Sequence, residues 1–325
     1  MRDGLILNWI KNSNMGKNAG NHGNRSYQSL WTMLKMSFAE LKKNNPLRMS
    51  GATAFFTTFA LPPILLILFQ LFSLFLNKRL LGREMMELIT STFGKDGAEQ
   101  VLRTARGFYQ LASRWWIAAG GFLFLVFVAT TLFGVIKNSL NDIWKIGVKE
   151  RPGFLFSLRL RARSLGVILV AGILFLAGIL LDSFELIAGK YMEEQWSNMG
   201  KYFSGALNEI VSAVIVTAWF VVLFRYLADG RPSWRVAMAG GVLTGLLFSI
   251  GKEILSILMS NSNLTTIYGT SGSIVLILLF VFYSSFILYF GAAFVKVYSE
   301  SIGDLPKLIN KAYRYKVQAI AETRA

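Results

Sequence analysis

Five polar residues stand inside or at the edge of stretches otherwise built from apolar side chains: Asp182, Asn208, Glu209, Lys252 and Glu253. A charge withheld from water is costly unless it is paired or solvated, so such residues are candidates for handling something polar. Asp182 closes its apolar run and can reach water by extending past the helix end. Glu209, beside Asn208, lies near the start of one run, and Lys252 with Glu253 lies near the end of another. Neighbours in sequence do not face each other on a helix, so Lys252 and Glu253 each require some other partner or water. A polar vestibule shared by these residues would satisfy them. Pro62 and Pro63 fall in the middle of an apolar run. Each removes a backbone donor and clashes with the preceding turn, which predicts a kink or break whose freed carbonyls need partners. That is the design of a transport site as well as of a rigid bend. Tyr268-Gly-Thr-Ser-Gly-Ser273 could cradle an anion at a helix start, but it lacks the lysine and preceding strand of a phosphate loop, and a tight turn accounts for it.

Several chemistries are excluded. The chain has no cysteine, hence no disulfide, thiolate metal site or cysteine nucleophile. Its one histidine, His22, sits in the Gly/Asn-rich stretch Gly20–Asn24, which reads as a disordered tail rather than a metal site. No paired carboxylates or His/Asp set falls deep in the apolar runs, so no cofactor and no catalytic site are expected.

The elements that must carry these residues are set by hydropathy. Of 325 residues 54% are hydrophobic and 16% charged, with mean hydropathy +0.47. A bilayer's hydrocarbon is roughly 30 Å thick and is crossed by about 20 helical residues. Six runs meet that length, at about 51–76, 115–136, 164–181, 205–224, 236–259 and 273–295; the first has no charged residue from Gly51 to Leu76. The sequence therefore predicts an all-α, polytopic membrane helix bundle of six transmembrane helices plus amphipathic interfacial helices. It divides into a disordered tail (1–25), a membrane domain (26–300) and a basic tail (301–325). The segment Met1–Ile10 lacks the features of a signal peptide.

Net charge is +16. On a soluble chain this would suggest nucleic acid; here its distribution sets orientation. Of the 34 Lys and Arg, 24 fall in the first tail, 137–163, 225–235 and the last tail, and ten on the other side, seven of them in 77–114. The basic side is expected in the cytoplasm with both termini.

Two amphipathic helices flank the spans. Leu30, Leu34, Phe38 and Leu41 share one face, with Trp31 suited to the interface and Lys35, Lys42, Lys43 and Arg48 able to meet anionic head groups. In the 77–114 segment, Asp96-Gly-Ala-Glu99 resembles a capping box. Val101, Ala105, Phe108, Tyr109 and Ala112 then align on one face, with Arg103, Arg106 and Arg114 around the others. Gly240, Gly241 and Gly245 predict close helix packing within the bundle.

Taken in order, these features resemble the YihY/BrkB family of bacterial inner-membrane proteins over about residues 30–300. The resemblance rests on the juxtamembrane helix followed by Ala52–Pro63, and on Asn138-Ser-Leu-Asn-Asp-Ile-Trp144 with the basic segment Arg151–Arg163 behind it. Tyr268-Gly269…Gly272 and Tyr283-Ser-Ser285…Gly291-Ala292 complete it. Many members carry Glu after that Gly-Ala where this chain has Ala293, so a mechanism resting on that carboxylate does not extend here. The resemblance implies six spans, no agreed activity, and roles in envelope integrity or export of lipid and lipopolysaccharide precursors. It also brings Tyr283 among the candidates. The family has carried a ribonuclease label, which nothing in this chain supports: no carboxylate cluster for divalent metal, no usable histidine, no soluble domain to hold RNA.

The expectation is therefore a transporter or flippase-like factor for an amphipathic envelope molecule, a lipid or glycolipid. Candidate path residues are Glu209, Asn208, Lys252, Glu253, Pro62, Pro63, Tyr268 and Tyr283. Expected partners are membrane lipids with anionic head groups on the cytoplasmic face, and a second copy or an envelope protein; nucleic acid is not expected. The alternatives are a non-transporting scaffold for envelope enzymes and a small-solute channel, which would need a ring of charges formed by oligomerisation.

Overall fold

The computed structural model describes residues 29–72, 115–148, 199–261, 272–309 and 312–317, with position 173 and scattered positions between 82 and 106. The side chains of 62–72, 115–126, 129, 199–209, 256–261 and 272–273 lie outside that description. The described chain is mostly helical: α1 (Leu30–Lys42), α2 (Pro46–Phe72), α3 (Trp115–Trp144), α4 (Met199–Val222), α5 (Trp234–Asn261) and α6 (Gly272–Ser301). A π-helical turn, Leu223–Leu227, extends α4. Four short strands, β1 (Ile146–Val148), β2 (Gly230–Arg231), β3 (Lys307–Leu308) and β4 (Ala312–Arg314), complete it.

Local chemistry sets the breaks. Asn45 stands at φ +53°, in the left-handed region that Asn tolerates, and ends α1. Pro46, whose missing donor costs nothing at a helix start, opens α2. That helix runs through Pro62 and Pro63 to Phe72, so the prolines do not end it. At the end of α6, Gly303 at φ +71° allows the bonds Gly303 N–H to Glu300 C=O and Asp304 N–H to Ser299 C=O, which close the helix.

Helix α6 lies against α1, α2, α3 and α5, and α4 packs along α5. Glycines permit this closeness: a Cβ on Gly240 would collide with Val295, on Gly241 with Val221, and on Gly291 with Thr244. The glycines of α5 thus serve contacts within the bundle. Phe248 bridges α4 and α6, 5.8 Å from Phe220 and 6.0 Å from Phe280 by ring centroid. The outer face of α5 is different. Trp234, Met238, Val242, Leu246, Ile250 and Ile254, every fourth residue, are all exposed. Such a stripe is apolar surface facing away from the protein, the expected face of a helix solvated by lipid.

Three described helices have apolar windows long enough to cross a membrane, Ile210–Leu227, Trp234–Leu255 and Ile274–Ser301; α2 and α3 have 27 and 30 residues. Helix α3 continues eight residues beyond its apolar run because Lys137–Trp144 pack against other elements.

One end of the bundle, here the base, gathers the start of α2, the ends of α3, α4 and α6, the start of α5, and α1. The tail after α6 crosses this base. β3 pairs antiparallel with β2 (Arg231 opposite Lys307), and β4 with β1 (Gly147 opposite Tyr313). The amides of Ile309 and Tyr315 bond the carbonyls of Asp229 and Lys145.

On α1, Leu41 and Ser37 are buried, but Leu30, Trp31 and Phe38 remain 67%, 64% and 55% exposed. The apolar face expected from the sequence is thus divided between the bundle and the surroundings. Between 82 and 106, Val101 is buried, Arg103 and Arg106 are exposed, and Arg103 pairs with Glu99 at 2.6 Å. This agrees with an amphipathic helix there; Asp96, Ala105, Phe108, Tyr109 and Ala112 lie outside the described residues.

Candidate functional site

The best-defined polar constellation is at the base. The Lys137 ammonium on α3 lies 2.9 Å from one Asp229 oxygen, with both side chains buried. Asn141, one turn on from Lys137, donates to the other oxygen at 2.8 Å and accepts the Asp229 backbone N–H at 3.0 Å. The carboxylate thus joins α3 to the α4–α5 turn. A buried charge is tolerable in this way, with its opposite charge and its remaining lone pairs both satisfied.

A second chain of bonds links α2, α3 and α6. Thr53 Oγ1 donates to the Met49 carbonyl at 3.0 Å and lies 2.5 Å from the buried Tyr289 hydroxyl. With the threonine proton so committed, Tyr289 donates to Thr53, and Ser139 bonds to Tyr289 in turn. The Trp144 indole donates to the Ala292 carbonyl at 2.9 Å. Ala293, where the resemblance led one to look for a carboxylate, is fully buried.

A third group ties α1 to the base. Glu40 accepts from Lys296 at 2.6 Å and from Lys43 at 3.4 Å. Lys145 donates to the Asn44 side-chain oxygen at 2.6 Å. Burial pushes the Glu40 carboxyl upward, but the bond and charge of Lys296, aided by Lys43, outweigh it and hold the group below its ordinary value. Burial, followed by the Lys296 charge, holds the Lys145 ammonium below its own.

Of the residues singled out in the sequence, those on described helices lie elsewhere. Lys252 is half-buried and Glu253 exposed on α5, neither ion-paired with a described residue. Tyr283 on α6 seats its ring on Gly251, where a Cβ would collide with it, and its hydroxyl lies 3.4 Å from the Leu247 carbonyl. The fold therefore brings Tyr283 against Gly251, the residue before Lys252. Asn208 and Glu209 are on α4, with side chains outside the described residues, as are those of Pro62 and Pro63; Tyr268, Asp182 and His22 lie outside them altogether. Among the described residues no group of three His, Asp or Glu side chains could hold a metal ion.

The model of the family described as virulence factor BrkB matches residues 37–315. This chain belongs to the BrkB family. Curated relatives are UPF0761 membrane proteins: one from Teredinibacter turnerae is 26% identical over 91% of this chain and 64% of its own length. One from Pseudomonas aeruginosa is 27% identical over 80% and 62%, and one from Saccharophagus degradans 26% over 77% and 56%. The chain spans about 60% of the length of these relatives. No solved structure matches it. The matched region runs from α1 through β4, so it takes in the whole base network of this BrkB-family membrane protein.

Lys137, Asp229, Glu40, Lys296 and Tyr289 were not candidates from the sequence. Lys137 follows directly on an apolar run and Asp229 lies between two others, so each reads as a loop charge. Their pairing spans 92 positions, beyond any helical or hairpin spacing. The one sequence signal was Asn141 in the Asn138–Trp144 segment, whose side chain lies between them in the network.

Proposed function

We propose that this chain is a six-span, multi-pass protein of the bacterial inner membrane with both termini in the cytoplasm. Chain connectivity supports the count. The chain is at the base at Val148, whereas Met199 begins a helix of about 36 Å that ends there, at 1.5 Å per residue. Residues 149–198 must join the base to the opposite end, and they contain the apolar run 164–181. The basic segments brought together at the base then face the cytoplasm.

Its function, in this reading, is transport or flipping of an amphipathic envelope molecule, a lipid or glycolipid, or support of the envelope through such handling. The observation that carries it is the contrast between the two ends. At the base the buried Lys137 and Asp229 are paired and hydrogen-bonded. Lys252 and Glu253, by contrast, stand without ion partners among the described residues, on a helix that exposes Ile250 and Ile254. They lie about 27–29 Å along α5 from Trp234, one hydrocarbon thickness away, at the level of the opposite head groups. A lipid head group entering between α5 and α6 would meet Lys252, Glu253 and Tyr283 while its chains stayed along the apolar stripe.

The test is reconstitution of the full chain in vesicles carrying fluorescent phospholipid or glycolipid probes, read by quenching of the outer leaflet. Translocation above protein-free vesicles, reduced in Glu253→Ala and Glu209→Ala at equal protein level, is the expected result. No movement of any probe, together with full complementation of a deletion by both variants, would leave the scaffold reading instead.

A further inference from the structure

We propose that the α4–α5 turn, together with β3, forms a binding site for the phosphate of an anionic phospholipid of the surrounding bilayer. The turn carries three cations, Arg225, Arg231 and Arg235, and one carboxylate, Asp229. Asp229 is buried and directed inward to Lys137 and Asn141, so its charge is spent inside the bundle. Of the turn's own four charged residues, only the arginines remain outside that pair. The fold then adds another: β2–β3 pairing sets Lys307 directly opposite Arg231, both exposed. Like charges opposite one another across a ladder oppose pairing. None of these four cations is ion-paired with a carboxylate among the described residues. An arrangement of this kind is stable when an anion lies between the charges.

The aromatic surroundings identify the anion's source. The Arg225 guanidinium sits 5.1 Å from the centre of the Trp234 ring and donates to the Pro232 carbonyl, and its buried Nε has no hydrogen-bond partner among the described residues. Tyr226 stands edge-on to Trp234 at 6.2 Å, and the two rings are 38% and 52% exposed. They mark the junction of two apolar windows, Ile210–Leu227 and Trp234–Leu255. Trp and Tyr settle at the head-group level of a bilayer. The cations are therefore held at the depth of lipid phosphates, beside the exposed stripe of α5 along which acyl chains would lie. A lipid phosphodiester, whose two non-bridging oxygens share one negative charge, offers acceptors to the exposed Arg231–Lys307 pair. Whether the chain transports anything does not enter the argument.

The test uses the full chain, delipidated in detergent, offered phosphatidylglycerol or phosphatidylcholine, and examined by native mass spectrometry. Wild type is expected to retain phosphatidylglycerol in preference to phosphatidylcholine. Arg231→Gln with Lys307→Gln is expected to weaken that retention by roughly fivefold per charge removed. The same variant should melt in lipid-free detergent no lower than wild type, because a repulsive pair has gone. Arg235→Gln, a second exposed position, should weaken retention in the same direction. The proposal is overturned if the double variant, folded, holds phosphatidylglycerol as well as wild type. Equal retention of phosphatidylcholine, or full displacement by millimolar inorganic phosphate, would overturn it too.

Discussion

The Lys137 ammonium and the Asp229 carboxylate meet at 2.9 Å inside the bundle, 92 positions apart in the chain, with Asn141 filling the second carboxylate oxygen. This pair fixes the end of α3 to the turn between α4 and α5. Removing one partner leaves the other charged and buried. Lys137→Met or Asp229→Leu should therefore cost about 3–5 kcal/mol, whereas the double replacement should recover much of that loss. Thermal unfolding of the three variants in one detergent measures the difference; a double variant that loses the sum of the two single losses would mean that the charges do not act as a pair.

Tyr289 offers a milder probe. Its hydroxyl sits between Ser139 and Thr53, so Tyr289→Phe removes two bonds and keeps the ring. A loss of about 1–3 kcal/mol is expected, the cost of leaving buried hydroxyls without their partner. Tyr289→Ala also empties a fully buried site and should cost about 3–5 kcal/mol.

Gly291 and Thr244 face each other closely enough that a Cβ on the glycine would strike the threonine hydroxyl. Gly291→Ala is expected to destabilise, by about 1–3 kcal/mol from overpacking. Adding Thr244→Ala should return part of it, which makes the pair non-additive in a double-mutant cycle. Additive losses would place the strain elsewhere.

Glu40 carries a pH signature. Its folded value is held below the ordinary 4.5, so its bonds to Lys296 and Lys43 contribute fully above about pH 4.5. That contribution fades as pH falls through the lowered value. Wild type should lose melting temperature on acidification below about 4.5 more steeply than Glu40→Gln. Parallel curves would contradict the assignment.

Orientation can be read directly because the chain has no cysteine to remove. Single cysteines replacing Lys43 and Lys316, both exposed at the base, should react with membrane-impermeant maleimide only after cells are opened. Labelling of either from outside intact cells would reverse the topology.

The membrane class and the described helices were legible because they depend on composition and spacing over short windows. Gly240, Gly241 and Gly245 were legible as packing positions for the same reason: small residues recur at helical spacing. The base network was not. Lys137 and Asp229 each border an apolar run, and nothing within ten residues of either distinguishes a charge that turns inward from one that stays in water. Helix α3 runs to Trp144 because Asn141, Ile143 and Trp144 find partners on distant elements. The prolines illustrate the converse: local chemistry predicts a kink or break at Pro62 and Pro63, and α2 continues through both to Phe72 without a break.

The tail after α6 pairs with both the turn at 230–231 and the strand at 146–148. These residues leave the ribosome after every helix described above. Insertion of the helices must therefore precede closure of the base, and a nascent chain halted at about Asp304 would hold its helices without the two strands that staple them. Synthesis of the tail, rather than of the last helix, is the step that lets the base close.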